Sequence, residues 1–247
     1  MSRDTHKNTV AILQARMGSS RLPGKIMAEV ADQPMLAVII KRIRTAKCLD
    51  TLIVATTQLP QDNCVEDLCV ELKVHCFRGS ENDCLDRYYQ AAHQFQAEMI
   101  VRLTADNPLV DREFVDRVLQ EFSTTNPPCD YLSTSLSNTY PVGLSVEVFT
   151  INALSTAWKA DCNPQWREHV TPFLYHHPEL FHIVNMKNPV NYSLLRWTVD
   201  TREDLEFVRK IYDHFGDTNF SWTDILEFLQ KNPSLMDINK HIQQKTI

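Results

Sequence analysis

Residues 10–25 read Val-Ala-Ile-Leu-Gln-Ala-Arg-Met-Gly-Ser-Ser-Arg-Leu-Pro-Gly-Lys, and the change of character within them decides the fold. Val10 to Leu13 is an unbroken apolar run, the pattern of a strand buried on both faces. Gln14 to Lys25 is a loop with two glycines, two arginines and a lysine. Glycines let backbone N–H groups turn inward and cations neutralise charge, so the segment suits a polyanion such as a phosphate chain. The competing reading is an ordinary basic surface loop. Glycine usage argues against it: average usage of ~7% would give about 17 glycines, and the chain has only five, of which Gly18 and Gly24 fall in this loop. Neither well-known phosphate loop is present. From Gly18 the spacing to Gly24-Lys25 is one residue too long for the Walker pattern, Ile26 stands where a Ser or Thr would meet magnesium, and no Gly-x-Gly-x-x-Gly occurs.

Working outward, further short apolar runs predict strands at 51–56, 74–77 and 99–103. Helical stripes lie between them: Leu36, Ile39, Ile40 and Ile43; Leu85, Tyr88, Tyr89 and Ala92; Phe114, Val118 and Phe122. Alternation of this kind predicts an α/β fold with a parallel sheet, right-handed crossovers and helices on both faces. Ligands in such sheets bind beyond the carboxyl ends of the strands, so the 15–25 loop and Thr104-Ala105-Asp106 are expected to open onto one edge. Residues 123–141 break the rhythm, with a turn at Asn126-Pro127-Pro128. Leu144, Val146 and Val148 alternate with Ser145 and Glu147, predicting a half-exposed strand. Helices are predicted at 151–160 and 166–176, strands near 181–184 and 194–199, then a strong helix through Leu205, Val208, Ile211, Tyr212 and Phe215 and a last one at 222–229.

Composition narrows the function. With 247 residues, 43% of them hydrophobic, the chain supports one large domain spanning 1–247. The net charge of −6 gives no basic face and argues against nucleic acid as a partner; the basic loop stands out against this acidic background. The N-terminus, 1–8, is polar and no run approaches membrane-spanning length, which excludes a membrane partner and predicts a cytoplasmic protein. Seven cysteines without a Cys-x-x-Cys pair read as free thiols in a reducing compartment. His169, His176, His177 and His182 match no zinc spacing, and Ser19 and Ser20 lie in no nucleophile elbow.

Asp106, in Arg-Leu-Thr-Ala-Asp-Asn-Pro-Leu, and Asp200, in Arg-Trp-Thr-Val-Asp-Thr-Arg-Glu-Asp-Leu-Glu, both precede helical patterns. Magnesium on nucleotide phosphates takes one or two protein carboxylates, and these two aspartates fit that need. Each equally suits a helix N-cap.

Several segments together resemble one family. Gln14 to Lys25 is similar to the signature loop of the cytidylyltransferases that activate acidic sugars, the CMP-Kdo and CMP-sialic acid synthetases, and above all the spore coat polysaccharide biosynthesis protein F family. Phe77-Arg78-Gly79-Ser80-Glu81-Asn82-Asp83-Cys84-Leu85-Asp86-Arg87-Tyr88-Tyr89 resembles that family's second block. The match continues through Asp106, Tyr140-Pro141-Val142-Gly143-Leu144-Ser145-Val146-Glu147-Val148-Phe149, Arg167-Glu168-His169-Val170-Thr171-Pro172 and Asp200, in the family's order.

The resemblance implies a Rossmann-like three-layer nucleotidyltransferase fold with a mostly parallel sheet and a β-rich insertion, about 125–150 and 180–195, that serves as a dimerisation arm. It implies transfer of CMP from CTP to a sugar hydroxyl, an acidic keto-sugar above others, with release of pyrophosphate. Arg16, Ser19, Arg21 and Lys25 would hold the triphosphate, with Ala15, Met17 and Gly18 lining the loop; Arg78, Ser80 and Asp83 would lie near cytosine. Asp106 and Asp200 would carry Mg2+, and Glu147, Arg167, Glu168 and His169 would face the sugar. Arg16, Arg21, Lys25, Asp106 and Asp200 would carry the chemistry. Ser145 stands where many members have Asp, a departure that bears on the acceptor. Two rivals remain at this stage. One is a nucleotide-sugar glycosyltransferase, although the chain has no Asp-x-Asp triplet; the other is a non-catalytic nucleotide-binding subunit of a polysaccharide assembly complex.

Overall fold

The computed structural model describes residues 7–244; residues 1–6 of the polar N-terminus lie outside them. Five strands lie in the first third of the chain: β1 (Thr9–Gln14), the short pair β2 (Glu29–Val30) and β3 (Gln33–Pro34), β4 (Thr51–Thr57) and β5 (His75–Gly79). Interleaved with them are α1 (Met35–Ile43), α2 (Asn63–Leu72) and α3 (Cys84–Gln94). The rest of the chain holds β6 (Met99–Thr104), α4 (Arg112–Thr124), β7 (Tyr131–Ser133), β8 (Glu147–Thr150), α5 (Ile151–Ala160), α6 (Pro164–His169), α7 (Pro172–His176), β9 (Ile183–Asn185), α8 (Arg202–Phe215) and α9 (Trp222–Lys231).

β1 lies in the interior of a seven-stranded sheet ordered β5-β4-β1-β6-β8-β7-β9, in which only β8 runs antiparallel to its neighbours. The apolar run of β1 is fully buried because both faces of the sheet are covered. Val10 and Ile12 pack with α3, α5 and α7, while Ala11 and Leu13 pack with α1, α4, α8 and α9. This is the three-layer α/β/α arrangement expected from the alternation of strands and helices.

The second half departs from expectation in four places. The 125–150 and 180–195 stretches give β7, β8 and β9, which extend the central sheet, with loops between them at its carboxyl edge. β8 is buried on both faces: Glu147, the polar position of the alternation, is as covered as its apolar neighbours, because β8 lies between β6 and β7 under helices. The segment 194–199 forms no strand and meets residue 142 at a single bridge, Val142 to Arg196; Trp197 and Val199 are buried by packing. The helix expected over 166–176 is broken into α6 and α7 at Val170, whose φ is 71°.

The crossing of 140–144 over 195–198 depends on one glycine. Gly143 has φ 108°, and a Cβ there would stand 2.5 Å from the Thr198 nitrogen and 2.6 Å from the Trp197 carbonyl carbon. Gly143→Ala is therefore expected to cost about 3 kcal/mol, combining backbone strain with overpacking against main chain. Chemical denaturation would show this as a lowered midpoint at unchanged slope.

Candidate active site

The carboxyl ends of β1 and β6, the loop crossing at 141–145 and the 168–171 turn enclose a cleft of about 820 Å³. The β1 loop is shaped by its own backbone: Met17 O accepts from Ser19 N (2.9 Å) and Gly24 N (3.0 Å). Gly24 closes the turn with φ 72°. The loop is anchored from outside by Asp62, a fully buried carboxylate that accepts from Met17 N at 2.7 Å and from the Thr57 hydroxyl. Among the described residues the N–H groups of Arg16, Gly18 and Ser20 have no partner, so the loop offers donors as well as cations to an anion. Arg16, Gly18, Ser19, Ser20, Arg21 and Lys25 all line the cleft.

The two aspartates meet around Lys25. Its ammonium donates to Asp200 Oδ1 (2.9 Å) and Val199 O (2.7 Å), and lies 3.5 Å from Asp106 Oδ2. Backbone pairing causes the meeting: Asp106 O accepts from Val199 N (2.8 Å) and Thr198 Oγ1 (3.1 Å), which clamps the two segments together. Asp200 also pairs with Arg21 (2.7 Å) and Arg196 (3.0 Å). Burial alone would push the Asp200 carboxyl up, but Lys25, Arg21 and Arg196 outweigh it and hold the group below the usual carboxylate range. Neither aspartate is a helix cap. Asp111 caps α4, accepting from Phe114 N at 2.8 Å, and Thr201 with Asp204 forms the capping box of α8.

A second layer holds Arg196 in place. Its guanidinium is forked on Asp204 (2.8 and 2.9 Å) and donates to Gln244 Oε1 (2.6 Å), while Asn239 donates to Asp204 Oδ1 (2.9 Å). Sequence reasoning missed Asp62, Arg196, Asp204 and Asn239; Arg196 and Asp204 flank Asp200 within four residues, and that density of charge was the available signal.

The other wall carries a second buried pair. Glu147 accepts from Arg102, from the Tyr131 hydroxyl and from Thr171 Oγ1 (2.7 Å). Glu147, Glu168 and His169, expected to face the sugar, line the cleft. Glu168 reaches across the cleft mouth to Arg16 at 3.1 Å. Arg102, Thr171 and Tyr175 join this wall without having been singled out from sequence.

Four expected residues point elsewhere. Arg78 spends its donors on Thr57 O, Leu59 O, Asn63 and Glu66, tying the end of β5 to α2. Asp83 caps α3 and pairs with Arg167 at 2.8 Å, and Arg167 also donates to Trp158 O and Asp161 O. Ser80 accepts from Asp83 N through its hydroxyl (3.2 Å). Arg78, Ser80, Asp83 and Arg167 therefore stand outside the cleft lining, as does the Met17 side chain; Arg167 and Asp83 brace the wall from behind.

The comparisons with known proteins decide the family. The cytidylyltransferase family profile matches residues 10–242. The chain belongs to the cytidylyltransferase family. An uncharacterized protein of Methanocaldococcus jannaschii is 39% identical over 239 residues, 96% of each chain. The spore coat polysaccharide biosynthesis protein SpsF of Bacillus subtilis is 31% identical over 230 residues, 90% of this chain and 94% of its own. The solved structure of a cytidylyltransferase from Leptospira borgpetersenii superposes with a TM-score of 0.92 at 33% identity, covering 97% of this chain and all of that one. The protein is thus an enzyme of the nucleotidyl-transfer class with the mostly parallel sheet of that class. Among the described residues no helix is long and apolar enough to cross a membrane.

Proposed function

We propose that the enzyme transfers CMP from CTP to the hydroxyl of a sugar, with an acidic keto-sugar as the acceptor class, and releases pyrophosphate for surface polysaccharide synthesis. The observation that carries this reading is the Lys25 ammonium seated between Asp106 and Asp200, at the mouth of a loop with free N–H groups. Nucleotidyl transfer is catalysed chiefly by positioning and charge neutralisation, and this cluster supplies both. Arg16 and Arg21 are held only by carboxylates across the cleft; a triphosphate offers them a denser anion, and they turn to it to absorb charge developing on the leaving pyrophosphate.

The donor set suits magnesium shared with phosphate. Among the described residues no group of three or more His, Cys, Asp or Glu could form a metal cage, but Asp106, with a third of its side chain exposed, and Asp200 give the one or two carboxylates such an ion takes. When bound there, Mg2+ would polarise the α-phosphate. Leu136, Val190 and Leu194, exposed by 37%, 54% and 93%, lie on the 125–150 and 180–195 stretches. Their exposure supports a homodimer in which a second copy of the chain would cover them, in line with the arm role that the resemblance implies.

Calorimetric titration with CTP, ATP, GTP and UTP, each with magnesium, tests the nucleotide half. Selective CTP binding is expected. Preference for another nucleotide would overturn the cytidylyl assignment, and no binding to any would overturn the nucleotide site.

A further inference from the structure

We propose that His169 is the catalytic residue that takes the proton from the attacking acceptor hydroxyl; the proposal rests on the transfer reading above. The local backbone is the starting observation. Apolar spacing continues through 166–176, yet the helix stops at His169, and Thr171 N donates back to His169 O at 2.9 Å across Val170 at φ 71°, ψ −54°. This is a three-residue γ-turn with positive φ, a strained form, and a β-branched residue fits it poorly. Pro172, at the first position of α7, would by itself end a helix; it does not require a positive φ at Val170. What the turn achieves is presentation. Val170 is buried in the core, while the residues on either side of it, His169 and Thr171, both face the cleft.

His169 is also the uncommitted base of this wall. Neither ring nitrogen has a partner among the described residues. The charged and titratable groups sharing the wall come from six elements: Arg16 of the β1 loop, Arg102 of β6, Tyr131 of β7, Glu147 of β8, Glu168 of α6 and Tyr175 of α7. Glu147 is saturated by Arg102, Tyr131 and Thr171; Glu168 is paired with Arg16 until a triphosphate draws that cation away, and a carboxylate is in general a weaker base than an imidazole. Burial pushes the imidazole down; Glu168 pulls it back up, Arg102 and Arg16 push it further down, and the net position is below the ordinary histidine value. The ring is therefore neutral at pH 7 and able to accept.

In the step, the acceptor oxygen bonds to the α-phosphorus as the bond to the pyrophosphate oxygen breaks. The hydroxyl proton passes to a ring nitrogen of His169 and then to solvent.

The test measures pyrophosphate release from CTP and magnesium with 3-deoxy-manno-octulosonate, N-acetylneuraminate and glucose as probe acceptors, alongside calorimetric CTP affinity. Expected for His169→Gln is a kcat lower by about 10²–10⁴ with KM and affinity for CTP unchanged. The native rise of kcat with pH, centred below 6.5, should be lost in the variant, and added imidazole should restore part of the rate to His169→Gly. An unaltered kcat and pH profile, or a loss of CTP affinity equal to the loss of rate, would overturn the proton-acceptor role while leaving the transfer reading in place. No pyrophosphate from the native enzyme with any probe, despite CTP binding, would instead bring down the transfer reading and this proposal with it.

Discussion

Asp106→Ala is expected to lower pyrophosphate release by about 10³-fold or more, roughly 4 kcal/mol of transition-state stabilisation, while the fold stays intact. The reason lies in which part of Asp106 does structural work. Its carbonyl oxygen clamps the 198–199 segment, and alanine keeps that carbonyl. Its side chain is one-third exposed, bonded only to Thr104 and loosely to Lys25, so truncation leaves no buried donor stranded. Thermal midpoint within a few degrees of native and turnover near background is the predicted pair of readings. Turnover within tenfold of native in saturating magnesium would remove Asp106 from the chemistry.

Asp200→Ala should behave differently and fail as a fold as well as an enzyme. Lys25, Arg21 and Arg196 all lean on this carboxylate, which is 9% exposed. Its removal leaves three cations facing one another in a largely buried site. Breaking a buried pair from one side costs about 3–5 kcal/mol, and at about 2–4 °C per kcal/mol for a domain of this size the thermal midpoint should drop by roughly 6–20 °C. The pH dependence has a definite sign. A carboxyl whose folded pKa is depressed contributes stability above its unfolded value, near 3.9, and loses it as pH falls through the folded value. The gap in thermal midpoint between native and variant should therefore be full at pH 6–7 and shrink on acidification below about pH 4. A gap that stays constant down to pH 3 would show that the ion pairs contribute nothing to it.

These two aspartates also show what was legible in the sequence. Both were readable as strand-end or helix-start carboxylates, and the choice between ligand and cap was not, because a cap is defined by which N–H it accepts. Asp111 and Thr201, a few residues downstream, do the capping. β1 and its loop were legible because burial on both faces leaves an unbroken apolar run and because the glycines and cations of the loop fall in one short stretch. The break at Val170 was hidden: Trp166, Val170, Phe173 and Leu174 keep helical spacing straight through it, so periodicity carries no trace of the turn. Arg78, Asp83 and Arg167 show the limit for polar residues. Their partners are fixed by tertiary contact, Arg167 reaching Asp83 across 84 positions, and no local pattern says whether such a charge faces a ligand or a neighbour.

One consequence follows for how the chain reaches its native state. Lys25 and Asp200 are 175 positions apart, so the proposed nucleotide pocket exists only after distant parts of the molecule have closed on each other. A partly folded chain with β1, β4, β5 and β6 assembled has the cationic loop and Asp106 but lacks Asp200 and Glu168, its closer counter-ions. A nucleotide that needs both halves binds the finished protein alone, and mass action then makes it a folding ligand: at a hundred times its Kd it adds about 2.7 kcal/mol to stability. The cellular pool of substrate would in that way protect the enzyme from proteolysis between turnovers.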